Sequence, residues 1–250
     1  MTASSEILFG RDSTVAPIGV IAMNSVTELG KKIDDYLVDW AGKGGVNVDT
    51  FLVESECPRF SSGDGKGLIK STVRGKDLFI ILDVGNYNVK YDYFGKENSM
   101  SPDDHFQDLK RIIQAASGKA HRVNVIMPIL YGGRQHRRSY RESLDCACAL
   151  QELEAMGVSN IVTFDAHDPR VQNAVPLMGF DNVMPTYQVL KAMFRDIKDI
   201  DFTKEKFMVV SPDEGALNRN MYYASVLGVD MGMFYKRRDY STIVNGRNPI

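Results

Sequence analysis

The chain has 250 residues, room for one large domain or two ordinary ones at roughly 150 residues per domain. With 44% hydrophobic and 25% charged residues it reads as an ordinary soluble globular protein, and a formal net charge of −2 excludes a global pull towards nucleic acid or anionic membrane. No stretch nears the ~18 consecutive apolar residues of a membrane span, and residues 1–12 lack the apolar run of a secretion signal. Cys57, Cys146 and Cys148 have no metal-ligand spacing, so they read as thiols in a reducing cytoplasm.

In chain order, Pro17 to Ala22 reads as a first strand. Ser25 and Glu28 have the spacing of a capping box, opening a helix whose apolar face is Val26, Leu29, Ile33, Leu37 and Trp40. Gly42 to Gly45 end it, and a strand is expected over Val48 to Val53. A loop at Pro58 to Gly65 leads to the turn Arg74-Gly75-Lys76-Asp77 and a strand over Leu78 to Leu82. Residues 83–100 are polar and aromatic without periodicity, and read as an excursion from the core. Ser101-Pro102-Asp103-Asp104 is a strong helix start, with Phe106, Leu109, Ile112, Ile113 and Ala116 facing inward. A strand over Arg122 to Leu130, a polar loop, and a helix from Glu142 to Met156 follow.

The next stretch, Ile161-Val162-Thr163-Phe164-Asp165-Ala166-His167-Asp168-Pro169-Arg170, is a β-branched run stopping at a polar cluster. It reads as a fully buried parallel strand whose carboxyl end presents Asp165, His167, Asp168 and Arg170, where ligands sit in open α/β sheets; the alternative is a helix-capping turn with a solvated His. Thr186 is expected to cap a helix bearing Val189, Leu190, Met193, Phe194 and Ile197. A strand over Lys206 to Val210, a helix to Leu227, and a strand over Met231 to Tyr235 complete the pattern. Strands alternating with helices predict α/β architecture with parallel sheets. Polar clusters follow several of these strands, offering cations for phosphates and carboxylate or imidazole groups for a metal, as phosphoryl transfer requires. No Walker A or G-x-G-x-x-G fingerprint is present.

Phe60-Ser61-Ser62-Gly63-Asp64, Arg74-Gly75-Lys76-Asp77, Tyr131-Gly132-Gly133-Arg134-Gln135, Phe164-Asp165-Ala166-His167, Val210-Ser211-Pro212-Asp213 and Lys236-Arg237-Arg238 follow one another in a telling order. In that order the chain resembles the ribose-phosphate diphosphokinases, from about Ile18 to the last residue. The resemblance implies an α/β fold: a parallel-sheet phosphoribosyltransferase-like (type I) domain over residues 1–183, then an incomplete second domain of the same kind over 184–250. It implies diphosphoryl transfer from ATP to the C1 hydroxyl of ribose 5-phosphate, with Mg2+, in a cytoplasmic homo-oligomer, often a hexamer. No nucleic acid or membrane partner is expected. Phe60, Ser62, Gly63 and Asp64 would meet the adenine, and Arg134 and Gln135 would hold the nucleotide phosphates, where a planar guanidinium suits phosphate oxygens. His167 and Asp213 would hold the metal, with Asp213 the better match for a hard cation. Lys236 would stabilise charge on the transferring group, and Arg238 would act with it and help hold ribose 5-phosphate.

Three positions depart from the family pattern: Ser62 stands for an acidic residue, Asp64 for Glu, and His136 for Asp. The acidic, Gly- and Thr/Ser-bearing turn that cradles the 5-phosphate in the family is expected beyond Ile250, so the sequence reads as C-terminally truncated and of doubtful activity alone. The alternative is a non-catalytic homologue that assembles with or regulates an active synthetase.

Overall fold

The β-branched runs near residues 18, 78, 123 and 161 all pair as strands in a computed structural model describing residues 15–199, 201–236 and 241. The chain divides into two units, Met1–Met184 and Pro185–Ile250. In chain order, the first holds β1 (Ile18–Ala22), α1 (Thr27–Lys43), β2 (Ser55–Glu56), β3 (Leu68–Ile69), β4 (Asp77–Ile81), β5 (Lys90–Tyr93) and β6 (Lys96–Ser99). It continues with α2 (Pro102–Ala116), β7 (Arg122–Ile126), α3 (Asp145–Ala155), β8 (Val158–Phe164) and β9 (Gly179–Val183).

Five strands form one parallel sheet in the order β1-β4-β7-β8-β9. Alternate side chains point to opposite faces, which divides the core in two. Ile21, Leu78, Ile80, Val125 and Ile161 pack with Leu109, Ile112 and Leu150 from α2 and α3. Val20 and Ile81 pack on the other face with Ala41 of α1 and with Phe51.

Several expectations are corrected here. Residues 48–53 make only one bridge to β1, Val20 with Leu52, because the Phe51 N–H donates to the Asp34 carboxylate (2.7 Å) instead of to a strand. Ser25 caps nothing: it is buried, and its hydroxyl accepts from the Asp83 N–H at 2.9 Å. On the expected face of α1, Val26, Ile33 and Leu37 do pack against the core, but Leu29 and Trp40 are exposed and the most buried positions are Gly30, Asp34 and Ala41. The reason is contact distance. A Cβ on Gly30 would lie 2.1 Å from the Ala22 Cβ, so α1 crosses β1 at a point only glycine allows. Residues 85–99 leave the core as expected but contain an antiparallel hairpin, β5–β6, while Val84 and Met100 at the two ends are buried. β8 is not fully buried, since Ile161 and Thr163 are enclosed while Phe164 is 42% exposed. β9, unforeseen, is a polar edge strand beside β8, with Asn160 donating to Asp181 at 2.7 Å.

The second unit contains, among its described residues, α4 (Thr186–Asp196), β10 (Met208–Ser211), α5 (Leu217–Leu227) and β11 (Asp230–Met233). β10 and β11 pair in parallel around α5, a βαβ unit. Gly228, at φ +68, closes α5 in the left-handed conformation. Thr186 does not cap α4, because it lies inside the helix with its hydroxyl buried and unpartnered.

Candidate functional site

The loop of the first unit that carries Phe60, Ser62, Gly63 and Asp64 is a tight reversal. Arg59 bridges Gly65, the Phe60 N–H donates to the Asp64 carbonyl at 2.7 Å, and the Gly63 N–H donates to the Phe60 carbonyl at 2.9 Å. Gly63 sits at φ +89, a conformation that disfavours side chains. Ser62 Oγ donates to Asp64 Oδ2 at 2.8 Å, which holds the carboxylate over the turn. The Phe60 ring is 54% exposed.

What fixes this loop was not foreseen. Arg59 forks onto Asp108 of α2 at 2.6 and 3.0 Å, and Arg111 adds a third bond at 2.6 Å. Asp108 and Arg59 are buried, so this is a shielded, bidentate anchor rather than a surface pair. Cys57 lies beside it, its thiol pushed up to about 12 by burial and then by the Asp108 carboxylate. Asp108 at an inward position of α2 was the available signal, but nothing local ties it to a residue 49 positions earlier.

The loop after β7 holds Arg134 exposed, while Gln135 turns inward, its amide donating to the Ser143 carbonyl at 2.9 Å and the Arg137 carbonyl at 3.3 Å. Gln135 therefore ties its own loop together. After β8 the chain turns sharply: Asp165 is at φ +50, its N–H donates to the Val183 carbonyl, and the Ala166 N–H donates to Asn182 Oδ1. β9 thus pins the turn that presents His167, which is exposed. The His136 ring lies 5.2 Å from that of His167, and its Nε2 is 3.6 Å from Asp168 Oδ2. Arg170 holds the Asp168 carboxyl well below the usual carboxylate range, with His136 a minor contributor. The loops after β7 and β8 therefore meet at the carboxyl end of the sheet, as open α/β sheets favour for ligands.

In the second unit, Asp213 follows β10. Its Oδ1 accepts from the Ala216 N–H at 3.1 Å, and its Oδ2 is 3.8 Å from Lys236 Nζ. Fully buried Ser211 sets this turn, donating to the Asp213 carbonyl (2.8 Å) and accepting from Asn220 (3.0 Å). The structure so brings Asp213 and Lys236 together, while Arg238 lies outside the described residues. Among the described residues no three His, Cys, Asp or Glu side chains are grouped to hold a metal. The single carboxylate of Asp213 fits Mg2+, which keeps most of its waters and shares phosphate oxygens, better than the imidazole of His167 does.

Residues 18–157 match the family described as the N-terminal domain of ribose phosphate pyrophosphokinase. The ribose-phosphate pyrophosphokinase of Chlorobaculum tepidum is 26% identical over 94% of this chain and 63% of its own length. That of Fusobacterium nucleatum is 28% identical over 88% of this chain and 61% of its own. The chain thus spans somewhat less than two thirds of the curated relatives it matches. The crystal structure of phosphoribosylpyrophosphate synthetase from Mycobacterium smegmatis superposes with a TM-score of 0.69 at 19% identity, covering 89% of this chain and 65% of that one. That likeness shows the shared α/β fold. With more than half of its residues inside the family match, the chain belongs to the ribose phosphate pyrophosphokinase family, through that family's N-terminal domain.

Proposed function

We propose that the chain handles ATP and ribose 5-phosphate for diphosphoryl transfer: the C1 hydroxyl oxygen attacks the β-phosphorus, the bond to the α-phosphate's bridging oxygen breaks, AMP departs, and the hydroxyl proton is lost. The observation that carries this reading is the pairing of Asp213 with Lys236 at the ends of two parallel strands. A cation there is placed to stabilise charge on the transferring group, and a carboxylate beside it anchors the cation and one oxygen of a metal shell. Asp213 would hold Mg2+ together with phosphate oxygens, and the ion would supply charge neutralisation. Arg134 is exposed and free to meet phosphates. Phe60, Ser62, Gly63 and Asp64 would meet the base, and Arg238 would help hold the ribose 5-phosphate. Free thiols at Cys57, Cys146 and Cys148 fit a cytoplasmic setting, and a homo-oligomer is the proposed assembly.

The test is ribose 5-phosphate-dependent AMP release from ATP by the full chain, beside a full-length relative as positive control. Lys236→Ala is expected to lower kcat by about a hundredfold or more while ATP binding persists. ATP binding without AMP release in the unaltered chain would instead favour the second reading, a non-catalytic homologue that assembles with an active synthetase. Gln135 supports that reading, since its amide is already spent on its own loop.

A further inference from the structure

The hairpin β5–β6 has no role in the reading above, yet it is seated on the loop that reading assigns to the base. Tyr91 and Tyr93, two apart on β5, point to the same side. The Arg59 guanidinium lies 5.1 Å from the Tyr91 ring centroid. Tyr93 lies flush on Gly63: a Cβ built there would be 2.6 and 2.7 Å from two carbons of the tyrosine ring. Because Arg59 is itself locked on buried Asp108, loop and hairpin share one rigid base.

The hairpin tip is chemically odd. Phe94 and Gly95 form its two-residue turn, both at positive φ (+49 and +72). Such turns select Asn-Gly or Asp-Gly, and a bulky aromatic at the first position is disfavoured. The Phe94 ring nevertheless stays 71% exposed, packed edge-on against Tyr93 at 4.7 Å, with apolar surface facing water. Neither turn propensity nor burial accounts for phenylalanine there. Contact with a flat apolar ligand accounts for both, and base stacking on an aromatic face supplies such a contact.

We propose that the β5–β6 hairpin is part of the nucleotide site, Tyr91 and Tyr93 seating it on the 60–64 loop and Phe94 stacking on the base of an adenine nucleotide. The inference rests on the proposed ATP reading and adds a residue the resemblance does not assign.

Phe94→Asn separates ring from turn, because Asn-Gly is the preferred pair for this geometry. ATP and inorganic tripolyphosphate, which lacks a base, are titrated into the full chain with and without the substitution, and the thermal midpoint is recorded. The expected result is ATP binding weakened about tenfold, tripolyphosphate binding unchanged, and a midpoint equal or higher. Phe94→Tyr should retain wild-type ATP affinity. ATP affinity within about twofold of wild type in Phe94→Asn would overturn the role of the hairpin while leaving the ATP reading intact. Equal loss for both ligands would mark a general disturbance and would also overturn it. If the unaltered chain binds ATP no better than tripolyphosphate, the base-binding role of the 60–64 loop fails, and the hairpin proposal with it.

Discussion

Leu109 in the first unit and Val226 in the second sit on helices between parallel strands, yet Leu109 is fully enclosed while Val226 is 53% exposed. The contrast extends to charge. Asp108 and Arg59 are nearly shut off from solvent, whereas Asp213 and Lys236 are about one third exposed at 3.8 Å. In the first unit, residues on both sheet faces have something to pack against. In the second, Met208, Val210, Met221 and Met233 remain about half exposed among the described residues. Helical and strand periodicity are present in both units, so periodicity fixes which element forms. How much an element contributes to stability depends on the layers around it.

Asp108→Ala should break this comparison most strongly. It strands two guanidiniums, one of them buried, and removing one partner of a buried ion pair costs about 3–5 kcal/mol. Denaturant unfolding followed by fluorescence measures the loss, and Asp213→Ala should cost only about 1 kcal/mol, chiefly its bond from the Ala216 N–H, because its ion pair is solvent-screened. A second readout has a sign that can be worked out. Burial, and after it Asp108, holds the Cys57 thiol high. Removing the carboxylate and loosening the loop both lower that value, so thiolate becomes more abundant at pH 8 and iodoacetamide labelling of Cys57 should speed up. In the unaltered chain exposed Cys148 should label first.

Next in size is the paired truncation Leu109→Ala and Val226→Ala. The first opens a cavity in a filled core and should cost about 2–5 kcal/mol. The second removes methyls already in water and should stay within about 0.5 kcal/mol. Similar losses at both sites, by the same unfolding measurement, would mean that the exposed face of α5 is covered in solution.

What could be read in advance divides along the same physical line. The start and inner face of α2 were legible because cap, proline and apolar spacing all act within a few residues: Ser101 and Asp104 form the reciprocal capping box, and Phe106, Leu109, Ile112, Ile113 and Ala116 are all buried. The face of α1 was legible only in part: Val26, Ile33 and Leu37 pack inward as their spacing implies, but the rotation that buries Gly30 and exposes Leu29 and Trp40 turns on a Gly30–Ala22 contact between different elements. β9 was missed because a run as polar as Gly179–Val183 becomes a strand only through the partner it finds in β8. At the site, motif order was enough to reveal the family. The fold sets Asp213 and Lys236, two residues that order named, side by side. It could not show that Gln135 bonds its own loop, or that Arg59, Asp108 and Tyr93 brace the Ser62–Asp64 turn. These are tertiary pairings with no local signature.

The smallest predicted effects compare two helix starts, and their signs should differ. Ser101 Oγ accepts from the Asp104 N–H at 3.2 Å while the Asp104 carboxylate accepts from the Ser101 N–H at 2.8 Å, so two otherwise orphaned donors are satisfied at the start of α2. Ser101→Ala should therefore cost about 1 kcal/mol. Thr186 opens α4 with a buried hydroxyl that has found no partner, the opposite condition. Thr186→Val keeps the shape and removes the unsatisfied group, so stability should be unchanged or rise by up to about 1 kcal/mol. Because α4 belongs to the less buried unit, the gain should appear in its own transition if the two units unfold separately, and calorimetry can resolve that. A clear loss with Thr186→Val would show that its hydroxyl is hydrogen-bonded in solution, and the contrast between the two helix starts would vanish.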